Sequence, residues 1–298
     1  MIYRLLRDSE GEDASLMASL AFSANEEERA RVRERSAEDL ERQRLRYRSF
    51  IEHDPDGALV AVDGFEPDGS SGSGGRIVGM AVSLRRESVW VLSIFAVDAE
   101  YRSTGVGREL LRRSLEYGAG CTGAMIASST YPAAMRSYSR SGFELHPTLK
   151  ATGTVRREAI PGGLKAREGS EDDLELAEGI GRKLRGASHG PDLGLMLRTG
   201  SRLFVHEGRA GETGFAVGRE GSTELLAATT PEVATGLLWS VLEEAGEEEI
   251  SVRWLSSSQQ WALPVVLDAG LALENAGPLC LRGRLGPLTP YLPSGPYL

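Results

Sequence analysis

The chain has 298 residues, 41% hydrophobic and 26% charged, and a formal net charge of −9. That length allows a sizeable core and two domains of ordinary size, and the acidic balance argues against nucleic acid as the main partner. No run approaches the ~18 apolar residues of a membrane span, the two cysteines (Cys121, Cys280) make no disulfide framework, and four scattered histidines give no metal-ligand spacing.

In chain order, the pattern predicts a short strand over Ile2–Leu6 and a helix over Glu12–Ala21 with an acidic first turn. The opening MIYRLLRDSEGEDASL turns acidic before the apolar core of a signal peptide could form, so a cytoplasmic protein without a membrane partner is expected. A helical region follows over 26–50, where eight arginines from Arg29 to Arg48 interleave with glutamates at i,i+3 and i,i+4. That pattern reads as a solvated face. Ala58–Val62 and Ile77–Ser83 are β-branched, apolar runs that read as strands, joined by the Gly/Ser-rich connection DGFEPDGSSGSGGR, flexible by composition. Val89–Val97 is the most strand-like segment. Leucines then recur at helical spacing over Arg108–Tyr117, Ala124–Ser128 returns to a strand, and Ala133–Ser141 is a short helix closed by Gly142 before a strand starting at Phe143–Leu145.

The second half reads as a worn copy of the first. RDSEGEDASL (7–16) lies over REGSEDDLEL (167–176), ALVAVDG (58–64) over RLFVHEG (202–208) and GMAV (79–82) over GFAV (214–217). Further on, LLRRSLE (110–116) lies over LLWSVLE (237–243), and SGFEL (141–145) over AGLAL (269–273). Islands in the same order point to an internal duplication, with a boundary in the Gly-, Thr-, Arg- and Pro-rich stretch 152–161. The expected organisation is a first domain over 1–152, a degenerate second over 160–283 and a Pro-rich tail over 284–298. The tail reads equally as an extended segment packed near a cleft or as exposed chain.

Chemistry concentrates where the Val89–Val97 strand gives way to a helix. Arg102-Ser103-Thr104-Gly105-Val106-Gly107-Arg108 places glycines where a Cβ would keep an anion away from the backbone, at the positive end of a helix dipole. Arg102 and Arg108 can add charge-assisted bonds. GVGREL borders on a dinucleotide fingerprint, yet Leu110 stands where its third glycine belongs and several strands come first. The matching stretch of the second half, AATTPEVATGLL (227–238), lacks the glycine turn.

This segment resembles the GCN5-related N-acetyltransferase (GNAT) superfamily, whose acetyl-CoA signature is R/Q-x-x-G-x-G/A after a strand. A second stretch, AAMRSYSRSGFEL (133–145), resembles that family's A-x-x-L-Y-x-x-x-G-F region, with Tyr138 before Gly142 and Phe143. The resemblance implies an α/β fold of two tandem domains, each a mixed, mostly antiparallel sheet flanked by helices. It implies acetyl-CoA as co-substrate, bound by Ser103 to Arg108 with Arg102 and by the strand residues Phe95, Ala96 and Val97, whose N–H groups would polarise the thioester carbonyl. Tyr138 would protonate the departing thiolate, and a phenol can do so because it is neutral at pH 7. At the position where family members often carry an asparagine against the CoA arm, this chain has Tyr131. The general base is open between Ser93, Glu144, His146 and the first helical region; Glu87 lies too early on the strand, and the family position is the apolar Val91. In the second half Val266 stands where Tyr138 does, so that half reads as catalytically silent.

The expected activity is transfer of an acetyl group to a primary amine of a small molecule or peptide by direct attack, without a metal. The alternatives are a non-catalytic acyl-CoA-binding or regulatory protein and, more remotely, an NAD-binding oxidoreductase. A two-fold homodimer is the commonest assembly open to such a chain.

Overall fold

The computed structural model describes residues 1–23, 25–64 and 75–298. Most of the Gly/Ser-rich connection, residues 65–74, lies outside the described residues. Two compact units emerge: Met1–Arg85 with Trp90–Gly120, and Arg86–Val89 with Cys121–Leu298.

The first unit runs β1 (Ile2–Leu5), α1 (Gly11–Phe22), α2 (Glu26–Arg33), α3 (Ala37–His53), β2 (Ala58–Asp63), β3 (Arg76–Arg86), β4 (Val89–Val97) and α4 (Val106–Tyr117). The strands lie in the order β1-β2-β3-β4, with β1 antiparallel to β2 (Ile2 opposite Val62) and β2 antiparallel to β3 (Ala58 opposite Val82). Strand β3 is buried on both faces because helices cover both. On one face Tyr47 of α3 donates to the Met80 sulfur at 3.7 Å. On the other, Gly79 lets α4 approach so closely that a Cβ there would lie 3.0 Å from Leu110 and Val106. Asn25 and Ser36 cap α2 and α3 by accepting from Glu28 and Asp39 N–H groups. The Arg/Glu run forms exposed pairs one helical turn apart, such as Arg29–Glu26 (2.6 Å) and Arg42–Glu38 (2.9 Å), the geometry of a solvated face.

The second unit continues with β5 (Gly123–Ala127), α5 (Pro132–Arg140), β6 (Glu144–Gly153), β7 (Arg167–Glu168), α6 (Leu174–Leu184), α7 (Pro191–Arg198), β8 (Arg202–Glu207), β9 (Thr213–Arg219), β10 (Ser222–Ala228), α8 (Pro231–Glu243), β11 (Ile250–Ser256), α9 (Ala262–Asp268), β12 (Ala272–Gly283) and β13 (Tyr291–Leu292). From β7 to β12 these elements follow the order of those from β1 to β6, except that two helices stand after β7 where three stand after β1. One sheet is β13-β10-β9-β8-β7, packed on the nearly all-apolar α8.

The remaining strands interleave. Strand β12 lies between β5 and β6, pairing Cys280 with Ile126 on one side and with Leu145 on the other. Strand β6 in turn lies between β12 and β11, with Ala151 opposite both Leu273 and Val252. All these pairings are antiparallel. This interleaving is why compactness divides the chain at Gly120 rather than in the stretch 152–161 where the sequence reading sets its boundary: β5 and β6 are inseparable from β11 and β12.

The tail is buried. Leu292, Ser294 and Leu298 are each at most 2% exposed, and β13 extends the second sheet along the edge of β10. The hairpin tip is held by a desolvated ion pair: Arg86 Nε and Nη2 donate to the two Asp192 carboxylate oxygens at 2.8 and 2.7 Å, with both side chains at most 5% exposed. Removing one partner strands the other charge in the interior. Asp192→Ala is therefore expected to cost about 3–5 kcal/mol, read from the urea midpoint at pH 7; a loss below about 1 kcal/mol would show that the pair contributes little to folding.

Candidate active site

In the first unit, β4 ends at Val97 and α4 begins at Val106, leaving residues 98–105 as a built turn. Asp98 starts it by accepting from the Glu100 N–H at 3.0 Å while pairing with Arg76 at 2.5 Å. Tyr101 donates to Asp63 at 2.6 Å, and Thr104 donates to the Tyr101 carbonyl at 2.7 Å. The amides of Glu100, Tyr101 and Arg102 are used within the turn, by the Asp98 side chain, the Asp98 carbonyl and the Ala99 carbonyl.

Two residues then take left-handed conformations, Ser103 at φ 66° and Gly105 at φ 101°. Gly105 is required by that φ rather than by crowding, since a Cβ would meet nothing within 4 Å. At Gly107 a Cβ would sit 3.5 Å from Phe95 and Val97, an ordinary contact. Protein packing therefore does not demand the second glycine, whereas a ligand lying on the backbone would.

Among the described residues, none of the N–H groups of Ser103 to Arg108 donates to a protein acceptor. They form a curled row of donors at the N-terminus of α4, where the helix dipole adds positive potential. Arg108 is exposed beside them and makes no ion pair among the described residues. That arrangement fits the diphosphate of a nucleotide. Arg102 is used differently: its Nη2 donates to the Ala21 carbonyl at 2.7 Å and its Nε to Val97 at 3.3 Å, tying the last turn of α1 to the end of β4. Phe95 and Val97 are half-buried on β4, alternating with buried Ile94 and Ala96. Ser93 Oγ on the same strand is buried without a hydrogen-bond partner.

The first unit also holds a cleft of ≈ 600 Å³ bounded by α1, α2 and the turn, with Leu16, Met17 and Leu20 as an apolar wall and Asp13, Arg29 and Arg33 among its charged groups. Sequence reasoning missed it. Leu16, an exposed apolar side chain of α1, marks this face only once the helix is placed.

In the second unit Tyr138 sits on the last turn of α5, 4% exposed, with its ring edge-on to Phe143 at 6.5 Å. Burial raises its pKa above the ordinary phenol value, and the neighbouring Cys280 thiol adds to the rise. Cys280 is pushed up to about 12 by burial, so it is a core thiol rather than a nucleophile. Gly142 at φ 83° ends the helix and turns Phe143 into the core, as the Gly-Phe pair predicts. Tyr131, 43% exposed, is the residue before α5. Of the base candidates, Glu144 and His146 face each other at 3.5 Å beside a cleft of ≈ 330 Å³. Glu87 is committed to Arg182 (2.7 Å) and the Ser188 N–H (3.2 Å), which makes it structural. Val266, which the sequence comparison of the two halves sets against Tyr138, is fully buried in α9. Among the described residues, no group of His, Cys, Asp and Glu could hold a metal, and no helix is long and apolar enough to cross a membrane.

Residues 22–143 match the acetyltransferase (GNAT) family model. No curated protein matches the chain significantly in sequence. Among solved structures, one from Pyrococcus horikoshii, assigned as an acetyltransferase, aligns with TM-score 0.70 at 19% identity over 95% of this chain and 89% of its own. A GCN5-related N-acetyltransferase from Sphaerobacter thermophilus gives 0.56 at 17% over 96% of both chains. Another from Kribbella flavida gives 0.55 at 16%, over 95% of this chain and 72% of its own. At these identities the likeness is one of fold, and it extends over both halves. Residues 22–143, which include the turn of uncommitted amides, are thus similar in sequence to the GNAT acetyltransferase family, and the chain as a whole shares the fold of its solved members.

Proposed function

We propose that this protein transfers the acetyl group of acetyl-CoA to a primary amine, and that its first half carries the cofactor turn. The family match supports acyl-CoA-dependent N-acetyltransfer as the general activity. The observation that carries the finer reading is the row of N–H groups from Ser103 to Arg108 that no protein atom satisfies among the described residues. Several donors at one turn, next to an exposed Arg108, suit the diphosphate of CoA and leave the acyl arm to run toward Phe95, Ala96 and Val97.

In the reaction, the amine nitrogen forms a bond to the thioester carbonyl carbon and the C–S bond breaks. The ammonium proton leaves to a base or water, and the CoA thiolate takes a proton. Tyr138 is the residue we assign to that last transfer. Burial keeps its phenol neutral, so the proton is in place throughout the physiological range. No covalent intermediate on the protein is needed, consistent with the buried, high-pKa Cys280. Acid catalysis of this kind is worth about 10²–10⁴ in rate. The chain's net charge of −9 favours a cationic acceptor such as a polyamine, an aminoglycoside or a peptide amine through long-range steering. A cytoplasmic location and a homodimer remain part of this reading.

Two outcomes are expected. Gly105→Ala forces a Cβ into a left-handed position at a cost of roughly 1–2 kcal/mol, and calorimetry should show the Kd for CoA rising about tenfold or more as the amides turn away. An unchanged Kd would take the diphosphate away from this turn. Tyr138→Phe should lower CoA thiol release, measured across a library of primary amines, by about tenfold or more while leaving the Kd for CoA within about twofold. Binding of CoA with no thiol release from wild type and any amine would favour the non-catalytic binder, and a thermal shift with NAD in place of CoA the oxidoreductase.

Tyr138 also links to stability. The folded state holds the phenol proton at pH values where the unfolded chain, with an ordinary pKa of 10.0, has lost it. The contribution of the neutral phenol is thus intact below pH 10 and is lost as pH rises above it. Denaturant midpoints followed from pH 8 to 11 should fall above pH ~10, less steeply in Tyr138→Phe. Buried Tyr47 and Tyr291, raised by the same desolvation, should keep part of the fall in that variant.

A further inference from the structure

The tail does more than cover the second sheet. Strand β10 pairs with β9 along one edge and with β13 along the other, and β13 also packs against β11. The tail therefore enters between two strands that are joined through α8 and do not pair with each other. Gln259, 3% exposed at the end of β11, holds it there: its Nε2 donates to the Leu288 carbonyl at 2.7 Å and its Oε1 accepts from the Tyr291 N–H at 3.1 Å. Gly286 and Leu288 N–H groups donate to Arg185 and Leu184 carbonyls at 2.8 and 2.9 Å.

The register of β10 against β4 can be set from the strands before them, where GFAV (214–217) lies over GMAV (79–82). The Asp98 N–H donates to the Val78 carbonyl at 2.9 Å and the Thr229 N–H to the Thr213 carbonyl at 2.8 Å, in each case the residue before the aligned glycine, so Asp98 falls on Thr229 and Val97 on Ala228. Val97 is one of the strand positions whose N–H the family resemblance assigns to the acyl carbonyl. The N–H of its counterpart Ala228 already donates to a carbonyl within the chain, that of Pro290, at 3.2 Å. Beyond Ala228 only Thr229 and Thr230 precede α8, and Thr230 caps that helix by accepting from Val233, so no segment answers to the turn 98–105.

We infer that the tail residues Leu288–Leu292 occupy, in the second half, the groove that an acyl-pantetheine arm would fill, with the Pro290 carbonyl standing where a thioester carbonyl would accept. The second half is a self-filled copy. It takes no CoA, and the chain binds one CoA molecule, in its first half. This inference rests on the acetyl-CoA reading of that half.

Hydrogen–deuterium exchange on the full chain, with and without saturating CoA, tests it alongside calorimetric stoichiometry. Peptides spanning Phe95–Arg108 should slow by about tenfold or more, while those spanning Ser222–Thr230 and Gly286–Pro293 change by less than about twofold. The stoichiometry should be one CoA per chain. Faster exchange in the tail on adding CoA, slowing at Ser222–Thr230, or two CoA molecules bound would overturn the self-filled groove and leave the first site standing. Absence of any effect at Phe95–Arg108 would instead overturn the acetyl-CoA reading, and this inference with it.

Discussion

A backbone N–H that no acceptor satisfies is tolerable only where water or a ligand can reach it, and this chain gathers such groups from Ser103 to Arg108 at one turn. The arrangement depends on neighbours that hold the turn without using its amides from Ser103 onward. Asp98 and Tyr101 anchor it through side chains, Gly105 supplies the left-handed step, and α4 is held in place by its close approach at Gly79. Arg102 adds a brace of another kind, its guanidinium donating to the Ala21 carbonyl in the last turn of α1. The residue that begins the motif is therefore occupied in positioning, while the main chain after it is left to face a ligand.

Much of this was legible because it is local. Two glycines after an apolar strand and before a leucine-spaced helix specify a turn and a helix start by conformation alone, and the helix begins at Val106 within that segment. Gly142 and Phe143 ended the next helix in the same way. The break between α2 and α3 is marked in the sequence by Ser36 with Asp39 three residues on, a capping pair hidden among the charges of a continuous-looking run.

What sequence could not show is long-range. Nothing in Glu144–Gly153 says that its neighbours will be β11 and β12, since an alternating apolar strand is compatible with many partners. The tail was equally readable as buried or exposed, because its prolines constrain φ without naming a surface. Its burial depends on Gln259, a polar residue whose role appears only once β11 has delivered it beneath the chain. The destination of the Arg102 guanidinium was hidden for the same reason: Ala21 is remote in sequence and its carbonyl carries no signature.

The interleaving of β5, β12, β6 and β11 bears on how the polypeptide is made. As translation proceeds from the N-terminus, β5 and β6 leave the ribosome with edges that only β11 and β12 can pair. Until those late strands are synthesised, the nascent chain presents bare ladder edges rich in apolar side chains, which is where strands from other molecules adhere. Completion of this ladder is thus postponed to the end of synthesis, when β12 is made.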